Sequence, residues 1–122
     1  MVTSKYFSEK EFQRCTPACS LQDMQQSTMN LFDKARQLAG IPFVITSAYR
    51  TKAYDEGKGR SGNSAHTKGM ALDIRCNTSL NRYRIISALL SVGFKRIGVG
   101  QGFIHADNDP SLPQNVIWDY YD

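Results

Sequence analysis

Long apolar runs are missing from the sequence. No segment of its 122 residues approaches the roughly 18 consecutive apolar residues that a membrane-spanning helix needs, so we expect no membrane insertion. The N-terminal stretch MVTSKYFSEKEF contains no apolar core of about 7–15 residues of the kind that a secretory signal carries. Without a signal peptide, the protein is predicted to stay in the cytoplasm until it is released by other means.

Recognition signals for nucleotides and nucleic acids are also absent. No glycine-rich phosphate loop follows a predicted strand, which leaves nucleotide binding unsupported. The net charge of +4 makes anionic partners candidates, acidic cell-wall polymers among them, and a basic surface without a specific partner is the favoured interpretation. Because the basic residues are scattered and form no arginine-rich run, we expect no nucleic-acid partner.

Cysteine is scarce, with three residues in the chain. Cys15 and Cys19 are spaced C-x3-C, and Cys76 stands apart from them. A single pair of this kind is a weak metal signal, because the strong versions contain two pairs. Reduced structural thiols are the favoured interpretation. A Cys15–Cys19 bridge and a minor metal clip are the alternatives.

Apolar periodicity and helix-ending residues predict one domain over residues 1–122, which we expect to be a monomer. Ser8 and Glu11 form a capping box for a first short helix. Gly40 ends the first long helix, and Ser79 is predicted to cap the second. The predicted helices are 8–14, 22–39, 50–57 and 79–92, and the predicted strands are 43–49, 70–75, 94–99, 102–106 and 115–121. A hairpin near the C-terminus makes part of the sheet antiparallel, so the fold class is α+β with helices against a small sheet.

The chain has only two histidines, and each has an aspartate near it in the sequence. His66 and Asp73 lie in the segment SAHTKGMALD, and His105 lies in FIHAD. Two histidines and one carboxylate are a plausible ligand set for a catalytic zinc, which keeps a fourth position open for water. Asp73 and His105 each lie between apolar neighbours in a predicted strand, and a buried carboxylate needs a partner. On spacing alone, core histidines and an aspartate in a cap or turn are the commoner outcome.

Three motifs resemble one known family. Residues 64–73 fit S-x-H-x-x-G-x-A-x-D, the signature of the zinc D-Ala-D-Ala peptidases, in every fixed position. The segment SAYRT at 47–51 resembles the family's G/S-x-Y-R-S/T element, and FIHAD at 103–107 resembles the segment with the third ligand. The sequence thus resembles the zinc D-Ala-D-Ala carboxypeptidase and L-Ala-D-Glu endopeptidase family. That family includes phage endolysins, and hedgehog signalling domains share its zinc fold.

The resemblance implies a zinc peptidase that cleaves the stem peptides of bacterial peptidoglycan, as a carboxypeptidase or as an endopeptidase of the phage-lysin type. It implies that His66, Asp73 and His105 bind Zn²⁺ in a small, largely antiparallel sheet flanked by helices. Arg50 is implied to contact the scissile carbonyl or the developing oxyanion, where a fixed guanidinium stabilises charge. A surface salt bridge is the alternative for Arg50. Ser64 is a candidate to hydrogen-bond the substrate or a ligand, or to orient its own loop.

One position departs from the family pattern. Many members carry a glutamate or aspartate as general base three residues before the final histidine, and here that residue is Gly102. Asp107 is the nearest candidate, because two residues along a strand place it on the same face as His105. Its alternative role is to orient a ligand histidine, and Asp109 is a more distant candidate. The missing carboxylate keeps a second function open, a non-catalytic zinc-binding interaction module of the same fold, although the presence of Arg50 argues against it.

Two further expectations concern the surroundings of these motifs. The glycine- and serine-rich loop 57–64 is predicted to be mobile. Trp118, in the last predicted strand, is expected to close the core, and an aromatic wall beside a peptide site is the alternative.

Overall fold

A five-stranded sheet forms the centre of the computed structural model, which describes residues 1–121. Its strands are β1 (Ile45–Ser47), β2 (Ala71–Arg75), β3 (Arg96–Val99), β4 (Phe103–Asp107) and β5 (Val116–Asp119). Their spatial order is β1-β2-β4-β3-β5. Three neighbouring pairs are antiparallel, and β5 runs parallel to β3 at the other edge from β1. The predicted α+β class is confirmed.

Four helices accompany the sheet: α1 (Glu9–Gln13), α2 (Gln26–Ala39), α3 (Lys52–Gly57) and α4 (Ser79–Val92). The capping box of Ser8 and Glu11 is present, and Gly40 ends α2 with a φ of 70°. The cap of α4 was predicted one residue too late, because the Oγ1 atom of Thr78 accepts the hydrogen bond from the Asn81 amide. No helix within residues 1–121 has the length and apolar character to cross a membrane.

The hydrophobic core lies between the sheet and the pair α2 and α4. Phe32 of α2 packs against Phe94, with ring centroids 4.5 Å apart. In β2 and β4, Leu72 and Ile104 are buried in this core, and alternate residues of a strand point to opposite faces. Burial of each large apolar side chain contributes about 1.5–3 kcal/mol. The helices therefore anchor one face of the two central strands and leave the other face for polar side chains.

The cysteines lie at the edges of this core. All three are free thiols in the structure, with Cys15 and Cys76 buried and Cys19 half-buried. The amides of Cys15 and Cys19 both donate to the carbonyl oxygen of Phe12, at 3.2 and 3.0 Å. The two residues therefore belong to the turn that follows α1. This position agrees with a structural role for the pair.

Candidate metal centre

The register of the neighbouring strands β2 and β4 places Asp73 directly opposite His105. Both residues alternate with core residues, so their side chains share the face that the helices leave uncovered. His66 comes from the 3-10 turn Ala65–Lys68, which leads into β2. The turn ends at Gly69 with a φ of 69°, and a Cβ atom there would overlap the backbone carbonyl of Asp23. Glycine is therefore required at this point of the motif for the turn to bring His66 over the strands.

Three ligand atoms of these side chains form a nearly equilateral triangle. Nε2 of His66 lies 3.2 Å from Nδ1 of His105 and 3.3 Å from Oδ1 of Asp73. The third edge, from His105 Nδ1 to Asp73 Oδ1, is 3.0 Å. Zinc bonds of about 2.0–2.1 Å in tetrahedral geometry separate ligand atoms by about 3.3 Å. The three buried residues therefore fit a zinc ion with one coordination position left for water or substrate.

Each histidine has its other ring nitrogen occupied. Nδ1 of His66 lies 2.6 Å from the carbonyl oxygen of Ala48, which can only accept, so this nitrogen donates. Nε2 of His105 lies 2.6 Å from Oδ2 of Asp107 and donates to that carboxylate. These partners select the tautomers that leave His66 Nε2 and His105 Nδ1 free to bind a metal.

The local electrostatics keep the aspartate ionised. Burial raises the pKa of Asp73, but the close imidazole groups of His105 and His66 outweigh burial, and the pKa lies well below its usual range. Burial lowers the pKa of His105, but its bonds to Asp107 and Asp73 raise it above the ordinary value overall. Asp73 is therefore an anion at neutral pH, as a metal ligand must be.

Arg50 lies beside the second oxygen of the same aspartate. Its Nη2 atom is 3.3 Å from Asp73 Oδ2, and its Nε donates to Ser47 Oγ at 3.1 Å. The Nη1 atom faces the carboxylate of Asp55 at 3.6 Å. Only 9% of Arg50 is exposed, so the alternative of a surface salt bridge does not describe it. The guanidinium is instead a buried group next to the candidate metal position.

Asp107 lies behind His105, where it is fully buried. Its Oδ2 atom contacts the imidazole, and its Oδ1 accepts from Nε of Arg96 at 2.8 Å and from the Asp109 amide at 3.2 Å. These contacts match the orienting role, one of the two that the sequence left open. A direct part for Asp107 in proton transfer stays a prediction. Asp109 is engaged elsewhere, with Nζ of Lys68 at 2.7 Å.

A cleft of about 240 Å³ opens over the three ligand atoms. Ser64 lines it, and its Oγ is buried without a hydrogen-bond partner among residues 1–121. The Arg60 side chain, from the loop 57–64, also reaches the cleft; the mobility of that loop stays a prediction. The complete lining is Arg50, Arg60, Ser64, Ala65, His66, Asp73, Arg96, Phe103, His105, Leu112, Trp118 and Tyr120.

Trp118 lines the cleft rather than the core, so the expectation of a core tryptophan was wrong. Its ring centroid lies 5.5 Å from that of His105, and the guanidinium carbon of Arg96 lies 4.8 Å from the ring centroid. In β3, Gly98 pairs with both His105 and Trp118. A Cβ atom at Gly98 would lie 2.9 Å from the indole Nε1. A glycine inside a predicted strand often marks such a close approach, but it does not identify the group that approaches.

Comparison with known proteins agrees with this geometry. The model of the peptidase M15 family matches residues 5–107, a range that includes all three ligand residues and Arg50. No curated protein matches the chain. Peptidases of this family depend on zinc, in agreement with the buried triangle of ligand atoms. Because the match covers most of the sequence, the chain belongs to the peptidase M15 family of D-Ala-D-Ala carboxypeptidase-like zinc metallopeptidases.

Proposed function

We propose that this protein is a zinc-dependent peptidase that hydrolyses peptide bonds in the stem peptides of bacterial peptidoglycan. The observation that carries the proposal is the triangle formed by His66 Nε2, Asp73 Oδ1 and His105 Nδ1, with edges of 3.0–3.3 Å. Membership of a zinc-dependent peptidase family supports the same activity.

The side chains around this triangle supply what hydrolysis requires. Zinc held there would polarise the scissile carbonyl and lower the pKa of a bound water toward about 7. Arg50 has N–H groups left over for the cleft and is placed to bind the oxyanion that develops on that carbonyl. Ser64 also lines the cleft and is a further candidate to contact the substrate. Asp107 holds the His105 ring so that Nδ1 stays available.

The lining of the cleft supports a peptide that carries carboxylates. Arg60 adds positive charge, while Trp118 and Tyr120 present flat aromatic surfaces. Peptidoglycan stem peptides carry free carboxylates, and a guanidinium binds a carboxylate with two parallel hydrogen bonds. Carboxypeptidase and endopeptidase activity are two forms of this proposal, and analysis of the products separates them.

The site of action follows from the proposed substrate. We propose that the protein acts as a monomer on the cell wall after release from the cell, as a phage-type lysin does. The net charge of +4 supports its attraction to acidic wall polymers.

One observation favours a second candidate function, a zinc-binding module without catalysis. Gly102 provides no carboxylate at the usual position of the general base, and Asp73 is the only carboxylate among the cleft-lining residues within 1–121. A module of this kind would bind peptidoglycan or another peptide ligand without cleaving it. Arg50 is then a binding residue for a carboxylate of the ligand.

Digestion of purified peptidoglycan separates the two candidates. Zinc-loaded protein is incubated with sacculi, with and without a chelator, and the products are analysed by mass spectrometry. We expect new amine ends that disappear with the chelator and in the His66→Ala variant, and the product masses identify the bond. Zinc-loaded protein that sediments with sacculi but releases no amine ends would contradict the peptidase and support the binding module.

A further inference from the structure

Asp55 is a buried carboxylate that lies outside the three candidate ligands and the cleft lining. It lies in α3 with no solvent exposure, and neither of its oxygens accepts a hydrogen bond from residues 1–121. Its charged neighbour is Arg50, whose Nη1 atom lies 3.6 Å from Oδ1. A buried ionised group without hydrogen bonds is unfavourable unless a counter-charge offsets the lost hydration. The position of Asp55 is therefore explained by the guanidinium that it faces.

The guanidinium of Arg50 is held on three sides. Ser47 accepts from Nε, Asp73 lies beside Nη2, and Asp55 lies beside Nη1. A guanidinium carries five N–H donors in a rigid plane, and the hydrogen bonds to Ser47 and Asp73 use two of them. Since Arg50 also lines the cleft, contacts along these three sides determine where the free donors point.

We propose that Asp55 is a positioning residue for Arg50, which it holds in the orientation that binds the oxyanion of the substrate. The proposal rests on the proposed peptidase function. Asp73 faces the metal position with Oδ1 and Arg50 with Oδ2, so two cationic groups share one carboxylate. Asp55 supplies the second negative charge that keeps the guanidinium close to a bound zinc despite their mutual repulsion.

The Asp55→Asn variant tests this role, because it removes the charge and keeps the size of the side chain. We expect kcat to fall about 10- to 100-fold, as is typical when a residue that orients an active group is changed. KM and the zinc content should stay close to wild type, because Asp55 touches neither the ligand atoms nor the cleft. Asp33→Asn is the matched control, since within residues 1–121 its carboxylate accepts hydrogen bonds only from the N-terminal segment, at Ser4, Lys5 and Tyr6.

A double-mutant cycle shows whether Asp55 acts through Arg50. If it does, Asp55→Asn adds no further loss of kcat to the Arg50→Ala variant, since the group it positions is already gone. Losses that multiply in the double variant would overturn the proposal, as would a wild-type kcat in Asp55→Asn. Thermal unfolding of each variant shows whether a loss of rate comes from a loss of folded protein.

A readout without catalysis separates failure of this proposal from failure of the peptidase function. The Nε–Hε signal of Arg50 in ¹⁵N NMR relaxation reports how rigidly the guanidinium is held, whether or not the protein cleaves peptides. We expect an ordered signal in the wild type and in Asp33→Asn, and greater mobility in Asp55→Asn. Equal order in all three proteins would refute the positioning role.

Discussion

Asp107 contacts His105 through the ring nitrogen opposite the one that faces Asp73. The two contacts, 2.6 Å at Nε2 and 3.0 Å at Nδ1, place the imidazole between two carboxylates. Each of these carboxylates also contacts a guanidinium group, since Arg96 pairs with Asp107 and Arg50 pairs with Asp73. The candidate metal position therefore lies within a row of polar side chains, in which Asp107 holds His105 and Arg50 holds Asp73.

The Asp107→Asn variant should bind zinc about 10- to 100-fold more weakly than the wild type, because the partner that orients a ligand histidine is weakened. Competition with a chromogenic chelator measures this affinity. Asp33→Asn, whose carboxylate serves the N-terminal segment, should keep the wild-type affinity.

Saturating zinc then distinguishes the two roles of Asp107. If the carboxylate only orients His105, the fully loaded Asp107→Asn variant regains a rate close to that of the wild type. A fully loaded variant that stays inactive would mean that Asp107 takes part in proton transfer.

Trp118 is the single tryptophan of the chain, so its fluorescence reports on the cleft. We expect the emission to change when zinc or a stem peptide binds, because the indole lies 5.5 Å from the His105 ring. Trp118→Phe should remove the signal and raise KM more than it lowers kcat, since the indole walls the cleft and is not a ligand. Constant emission across a full zinc titration, with binding verified independently, would be inconsistent with the position described.

The Gly69→Ala variant should lower the free energy of unfolding by about 1–3 kcal/mol, the cost of forcing a residue with a side chain into a left-handed conformation. Overlap of the new Cβ with the Asp23 carbonyl adds to this cost. Gly57→Ala is the matched control, because no atom lies within 4 Å of a Cβ at that position and its φ is not left-handed. Urea unfolding compares the two variants, and equal stabilities would argue against the strained turn at Gly69.

The Asp109–Lys68 pair predicts a dependence of stability on pH. Burial raises the pKa of Asp109, but hydrogen bonds from Lys68 and Ser111 outweigh burial and lower the pKa overall. A carboxyl with a lowered pKa in the folded state stabilises the fold above its unfolded pKa of about 3.9, and this contribution is lost as the pH falls through the lowered value.

Asp109→Asn should therefore lose less stability than the wild type between neutral and strongly acidic pH. Lys68→Met should flatten the curve in the same way, because the ammonium is then absent. Urea unfolding at several pH values measures the slopes, and parallel curves for all three proteins would show that the pair does not contribute.

The three candidate ligands that the structure brings together could be selected from the sequence because the information is local. His66, Gly69 and Asp73 occur within one short segment, and the glycine is required by the turn that joins the other two. His105 was predictable from its own segment, and strand alternation correctly placed it on the same face as Asp107. The strand boundaries were predicted less accurately, since β1 is limited to Ile45–Ser47 within the predicted strand 43–49.

The other cleft residues depend on contacts that no local pattern specifies. Arg96 reaches Asp107 because β3 pairs with β4, and Trp118 reaches the cleft because β5 returns in parallel beside β3. Asp55 lies in a short helix with other charged residues, where an exposed carboxylate is the usual outcome. Only the packing of α3 beside Arg50 reveals that this carboxylate is buried.

Gly98 leaves space for the indole of Trp118, and this space determines which part of the chain forms the aromatic side of the cleft. The candidate ligand residues lie within 5–107, whereas Trp118 and Tyr120 follow that range and pack over Gly98 of β3. The candidate metal ligands and these two aromatic side chains of the cleft are thus encoded in separate parts of the chain. Substitutions at Trp118 and Tyr120 can therefore alter this part of the cleft without changing any candidate ligand residue.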